Sequence, residues 1–339
     1  PGFNTNRSTQ YILKNATKYT VFKTITIFKM GIMSLEGTIK DRAKNSSNAH
    51  FMLIDGMSKL MSENFKSCHS LEFYASDLKW KLIVRSDTVK GSVSFYLWIT
   101  DSRCVGSNWE VTCSYTLSVV SQTGGPDICK PFTLAFNAKQ DSWGYHSFIT
   151  HEVLKKDGYL VNDRTVFSAE ITEVKPKFLD VTGLSRNIGR AERLKLTEVS
   201  RNNSKFTWKI SQFSSFDGEH HSSHEFTVGP RRWYLQMYPK GTSHGAGNSI
   251  SLFLHASDYV TDVPKEATTA IYKLRVLDQR PKRNHREFNV EHQFSSNSRW
   301  GFYKMLPLEE LHNASNGYLV NDEIYLGVEF LFISTSEFL

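Results

Sequence analysis

Three groups of residues in this 339-residue chain are of types that do chemistry. "HHSSH" gathers His220, His221 and His224. "THEVL" sets His151 beside Glu152, and Cys68 stands next to His69. Imidazoles and thiolates bind zinc, and a Cys–His pair that meets in space makes an activated nucleophile. The spacing argues against each group. Neither histidine stretch has the HExxH spacing that puts two imidazoles on one helical face, and no cysteine or carboxylate cluster joins them. Sequence neighbours such as Cys68 and His69 do not make a dyad by adjacency alone. No GxSxG elbow, P-loop or dinucleotide fingerprint is present. The expectation is a non-enzymatic chain with no metal and no cofactor, in which "HHSSH" is a loop.

The aromatic residues are the stronger signal. They make up 13% of the chain, and several fall in period-2 alternation. "SVSFYLWIT" sets Val93, Phe95, Leu97 and Ile99 against Ser94, Tyr96, Trp98 and Thr100. "SISLFLHA" sets Ile250, Leu252 and Leu254 against Ser251, Phe253 and His255. Such alternation is a strand with one face on a core. It sends Tyr96, Trp98 and Phe253 outward, where aligned aromatics mark either a recognition surface or burial against another unit. "IYLGVEFLFI" sets Leu326, Val328, Phe330 and Phe332 on one face. Trp80, Trp208 and Trp233 are expected in cores.

These strands belong to a repeat. "GYLVND" occurs at 158–163 and again at 317–322, and its flanks repeat with it. "LKWKLIVRSD" answers "RRWYLQMYPK", and "SWGYHSFI" answers "RWGFYKML". The offset stays near 155 residues, which is the size of a domain. The chain divides into a leader (1–49), a first copy (50–173), a linker (174–199) and a second copy (200–335). Each copy reads as many short strands with one short helix, from "THEVLKKDG" or "PLEELHNASNG". The fold class is all-β, two antiparallel sandwiches in tandem.

The formal charge of +7 raises the question of nucleic acid. Residues 1–50 carry eight Lys/Arg against two acids, and 174–199 carry six against three. The first copy is slightly acidic and the second is neutral. The folded copies therefore lack the basic footprint of nucleic-acid binding. Residues 1–35 hold five Lys/Arg and no acid, which fits either an organelle-targeting segment or a strand. "RPKRNHR" (280–286) is a solvated loop or a targeting patch. No run of roughly 18 apolar residues spans a membrane. Four cysteines, all before residue 130, fit reduced thiols, so a cytoplasmic location is expected. No sustained heptad precedes either copy, so no coiled-coil trimer is expected. The oligomeric state is otherwise open.

The motifs of the second copy, in order, are "FTWKISQFSSF", "HEFTVGPRRWYLQMYPKG", "ISLFLHAS", "YKLRVLDQ", "RWGFYKMLPLEEL", "NGYLVND" and "GVEF". Together they resemble the MATH (meprin and TRAF homology), or TRAF-like, domain. The first copy is more divergent, with "HFMLIDGMSKL" in place of a "TWKI" opening. The tandem arrangement is similar to plant MATH proteins. The resemblance implies TRAF-like sandwiches that bind short extended peptides of partner proteins. It places the peptide-binding residues at Phe253, Tyr272, His292, Arg299, Trp300, Gly301 and Phe302 in the second copy. In the first copy they are Tyr96, Tyr115, Asp141, Trp143, Gly144 and Tyr145. Arg299 replaces the family's usual acid before "WGF", which implies an acidic or phosphorylated peptide. The alternative from the same aromatics is a carbohydrate-binding sandwich. An adaptor role in ubiquitin-related or signalling assemblies follows by analogy.

Overall fold

The computed structural model describes residues 34–62, 67–104, 106, 108–156, 158–177, 190–200, 203–216, 219–257, 266–281, 284–294 and 298–339. The expected targeting segment lies almost wholly outside them. The first copy contributes β1 (Ala49–Asp55), β2 (Ser67–His69), β3 (Phe73–Ala75), β4 (Leu78–Asp87), β5 (Ser92–Ile99), β6 (Glu110–Val120), β7 (Ile128–Asn137), β8 (Ser142–Thr150) and β9 (Arg164–Lys177). A further strand, β10 (Arg190–Glu198), lies between the copies. The second contributes β11 (Lys205–Ser211), β12 (His221–Ser222), β13 (Phe226–Val228), β14 (Arg231–Tyr238), β15 (Ser249–Ala256), β16 (Glu266–Val276), β17 (Arg286–Phe294), β18 (Arg299–Pro307), β19 (Leu319–Val320) and β20 (Glu323–Phe338). The helices are α1 (Leu35–Asn45), α2 (Met57–Leu60), α3 (His151–Lys156) and α4 (Leu308–His312).

Each copy is a sandwich of two sheets. The small sheets run β2/β3-β4-β5-β8 and β12/β13-β14-β15-β18. The large sheets contain β1-β9-β6-β7 and β11-β20-β16-β17. Alternation sets which faces meet. Val93, Phe95, Leu97 and Ile99 enter the first core, and Ile250, Leu252 and Leu254 enter the second. Trp80 and Trp233 are fully buried, and each indole N–H donates to a backbone carbonyl, of Ala75 and of Val228. Trp208 is only half-buried at the margin of the second core.

The repeated hexapeptide is scaffold, and the structure shows how. Asn162 and Asp163, like Asn321 and Asp322, have positive φ (52° and 62°; 52° and 60°), the turn geometry that Asn and Asp tolerate best. The Asp then reaches back to the start of its own copy. Asp163 accepts from the N–H and hydroxyl of Ser58 at 2.7 and 2.8 Å. Asp322 accepts the same pair from Ser214 at 2.9 and 2.7 Å. The first strand of each sandwich is thereby pinned to the hairpin that opens its last strand. "HFMLIDGMSKL" is thus the true counterpart of the "TWKI" opening.

The linker differs most from expectation. Within 174–199 the described residues complete β9 to Lys177 and form β10. β10 pairs parallel with β1 and antiparallel with β20. One sheet therefore runs β17-β16-β20-β10-β1-β9-β6-β7 through both copies. The end of the leader is also structured. Ile39 and Ala43 of α1 pack on Phe51, Leu53, Val166 and Ala191, over the junction of β1 and β10. Glu36 of α1 binds Arg164 and Arg193; its backbone hydrogen bond first, and then these guanidinium groups, hold its carboxyl below the usual range.

A bulge corrects the reading of β20. Between Ile271 and Tyr272 of β16 the partner jumps from Phe332 to Phe330. The extra residue reverses the alternation. Leu326, Val328 and Phe330 enter the second core, whereas Phe332 crosses into the first and Ile333 takes its place.

Because β10 belongs to both copies, Leu194, fully buried in the first core, is predicted to act on both. Leu194→Ala is expected to cost about 2–4 kcal/mol. In urea titrations, tryptophan fluorescence and far-UV dichroism are expected to shift together as one transition. Two separated transitions would show that the copies unfold independently.

Candidate functional site

The two edge strands β8 and β18 carry the "WGY" and "WGF" segments. Each ends the order of its small sheet, paired on one side only, with β5 or β15. Residues 299–302 lie in regular register with His255–Leu252, and then the strand bulges before Leu306. The regular part of the free edge is therefore short, and the bulge limits uncontrolled pairing beyond it.

Gly301 is required by this contact. A Cβ built there would sit 2.1 Å from the Leu252 carbonyl oxygen, and one at Gly144 would sit 2.0 Å from that of Phe95. No side chain fits, so both glycines let the edge strand lie flat on its neighbour.

Tyr115 and Tyr272 correct the expectation of groove aromatics. Both are buried in the cores. Their hydroxyls donate to the backbone carbonyls of Trp143 (3.2 Å) and Trp300 (3.3 Å), so each is a post that holds the edge strand from beneath. Burial pushes both phenols well above their ordinary range. Phe253 keeps its outward phase but is only 3% exposed. Arg299 lies over its ring at 5.0 Å, and Tyr238 and Tyr303 flank it at 5.9 and 5.1 Å.

The surface itself is made by other members of the set. Trp300 is 48% exposed and stacks on His292 at 4.4 Å and 14°. Phe302 stacks on Phe288 of the facing edge strand β17 at 4.4 Å. In the first copy Tyr145, also 48% exposed, packs on Phe132, and Lys130 lies over its ring at 4.2 Å. Trp143 is half-buried and donates from its indole to the Ala135 carbonyl at 2.8 Å. Tyr96 meets His146 through its hydroxyl at 2.6 Å, and exposed Asp141 accepts from the Trp98 indole at 3.1 Å.

A polar cluster on β14 and β15 was missed in the sequence. Arg299 donates through Nη1 to Gln236 Oε1 (2.8 Å) and to the Tyr238 hydroxyl (3.0 Å). His255 contacts Gln236 Oε1 at 3.1 Å and the Tyr234 hydroxyl at 3.0 Å. The signal was available: Tyr234, Gln236 and Tyr238 occupy the outward phase of β14, opposite Phe253 and His255. The copies also touch near this surface. Lys81 donates to Gln293 Oε1 at 2.9 Å, and His69 lies 3.5 Å from Glu291. Part of the outer face of the first copy's small sheet is thus covered by β17. The "HHSSH" rings diverge to separate partners, Tyr238, Phe216 and Phe206. Among the described residues no group of three His, Cys, Asp or Glu side chains converges on a metal position, and no helix is long and apolar enough to cross a membrane.

Comparison with known proteins finds one family twice in the chain. The family model described as MATH domain matches residues 49–171 and 205–330. Ubiquitin C-terminal hydrolase 12 of Arabidopsis thaliana is 35% identical over 126 residues, 37% of this chain and 11% of that protein. A MATH domain and coiled-coil domain-containing protein of the same plant is 33% identical over 37% of this chain and 38% of its own length. Protein RESTRICTED TEV MOVEMENT 3, also of Arabidopsis thaliana, is 32% identical over 39% and 44%. The chain thus spans less than half the length of these relatives. Among solved structures, TRAF5 of Notothenia coriiceps is similar over 38% of this chain and 73% of that one, at 23% identity and a TM-score of 0.32.

Two outcomes are expected from this geometry. Gly301→Ala is predicted to break the pairing of β15 with β18 and to lower stability by at least about 2 kcal/mol, read by urea unfolding. Unchanged stability would contradict the close approach. The second concerns pH. Burial, followed by nearby cations (Lys81 and Arg85; Arg299 and then His220; Lys81), lowers His69, His255 and His292 to about 4. In the unfolded chain they titrate near 6.5. The unfolded state therefore binds more protons between those values, and stability is lost as pH falls from about 6.5 towards 4. Glu291, whose carboxyl burial raises, opposes this but is one group against three. Urea midpoints at pH 7 and pH 5 are expected to differ, and less so in His292→Gln.

Proposed function

The chain belongs to the MATH domain family, and from that premise we propose that it is a non-enzymatic adaptor that takes up short extended peptides of partner proteins at the free edge of β18. The MATH domain is a protein–protein interaction module. The single observation that supports the peptide reading is the Trp300–His292 stack, half exposed at the open end of the sheet beside a regular edge of four residues. Unpaired main-chain groups supply affinity by strand addition, and flanking aromatics supply area and choice of side chain.

The second copy leads in this reading. Its edge carries Trp300 and Phe302, whereas in the first copy Lys130 donates across the corresponding edge to the Phe148 carbonyl at 3.0 Å. The first copy instead offers Asp141 beside Trp98 and Trp143, a more acidic and less open surface. Two copies joined through one continuous large sheet raise avidity for a partner with two motifs or two chains. The carbohydrate reading loses support because Tyr115, Tyr272 and Phe253 present no face to a sugar. The relative named as a ubiquitin C-terminal hydrolase favours ubiquitin-related assemblies as the setting. The near-neutral copies favour protein over nucleic acid as partner.

The test is binding of the intact chain to peptide and glycan arrays. Trp300→Ala is expected to weaken peptide binding about tenfold or more, with the urea midpoint little changed. Glycan binding lost in the same variant, with no peptide bound by the parent chain, would replace this reading with the carbohydrate one.

A further inference from the structure

Arg299 is the residue that most distinguishes the second copy's surface from the first. Its position in the first copy is held by Ser142, preceded by Asp141. On β18 its guanidinium is held in a fixed pose. The Tyr238 and Phe253 rings lie 5.9 and 5.0 Å from its central carbon. Nη1 is spent on Gln236 Oε1 and the Tyr238 hydroxyl, both neutral acceptors. Among the described residues no acceptor bonds Nε or Nη2, and no carboxylate pairs with Arg299. Glu225, the acid paired with Arg232 on β14, is engaged there at 2.9 Å. The side chain is exposed.

This leaves a charged fork with one unpaired edge beside β18. Five N–H donors sit on a planar fork, and the Nε–Nη2 edge is the one that meets an oxyanion side-on. Ring packing and the two Nη1 bonds have already cost most of the side-chain freedom, so less is lost when a ligand binds. A charge-assisted, two-point contact with a phosphoryl group is among the strongest such a fork makes.

We infer that the Nε–Nη2 edge of Arg299 receives the phosphoryl group of a phosphorylated side chain on the peptide docked at β18, an inference that rests on the peptide-recognition reading above. The contact is reversible and transfers no group. It makes the second copy a reader of phosphorylated segments. The first copy, with Ser142 and the Asp141 carboxylate in the matching place, repels the same group.

The experiment uses the intact chain and three immobilised random peptide libraries, with the central residue fixed as phosphoserine, serine or glutamate. The parent chain is expected to retain the phosphoserine library about tenfold or more over the serine library, with glutamate between. Arg299→Ala is expected to bring retention of the phosphoserine library down to that of the serine library. Arg299→Lys is expected to keep part of it, since an ammonium keeps the charge but not the fork. Thermal melts establish that the variants are folded. Equal retention of all three libraries, or a preference that survives Arg299→Ala, would overturn the role of Arg299 and leave the peptide reading standing. Retention of none of them would remove both. In a parallel arm, the chain is sedimented with phosphatidylcholine vesicles containing phosphatidylserine. Arg299-dependent sedimentation, without phosphoserine preference on the peptides, would assign the residue to a membrane surface instead.

Discussion

The structure depends on the pairing of β10 with a strand from each copy. On one side it runs parallel to β1, and on the other antiparallel to β20. Edge strands of a sandwich expose a row of N–H and C=O groups that has to be paired, covered or blunted. Here the last strand of the second sandwich and the first strand of the first solve that problem with a shared neighbour. Glu192 makes the seam specific. Its carboxylate is fully buried, accepts from the Leu71 N–H at 2.8 Å and lies 3.5 Å from the equally buried His50. His50 in turn stacks flat on Phe73 at 4.2 Å. A buried carboxylate that lost these partners would be costly, so the register of β10 is strongly constrained.

From that seam follows the asymmetry of two otherwise matched domains. Their internal scaffolds agree bond for bond: the Asp–Ser clamp, the Tyr post under the tryptophan strand, the indole-to-carbonyl bond in the core, and the glycine under the edge. The outer surfaces do not agree. Joining the large sheets brings Glu291 and Gln293 of β17 against His69 and Lys81, which covers part of the first copy's face. Equivalent positions that would be equally available in separate domains are not equally available here. The copy with the freer edge also carries Arg299 and the exposed Trp300.

Much of the site was visible in the sequence as residue identity but not as role. Phe253, Tyr272 and Tyr115 stand where family resemblance puts groove aromatics. Period-2 alternation distinguishes inward from outward, but it does not report whether an outward ring is roofed by a neighbour. Arg299 comes from a strand some forty-six residues after Phe253 in sequence, and only the pairing of β15 with β18 places it over that ring. The Gln236–Tyr238–His255 cluster had the right phase on β14 but no motif to draw attention to it.

The sequence by itself determined the tandem copies, the sandwich class and the buried faces of the main strands. It could do so because alternation, turn residues and a repeated hexapeptide are local signals, written into contacts between near neighbours in the chain. Only the tertiary structure decided that Arg190–Glu198 of the linker form a strand, that a bulge sends Phe332 into the first core rather than the second, and which aromatics reach the surface. Those outcomes rest on partners far away in sequence. A strand that serves as the seam between two sheets looks, residue by residue, like a charged linker, because its identity lies in the two edges it has to satisfy.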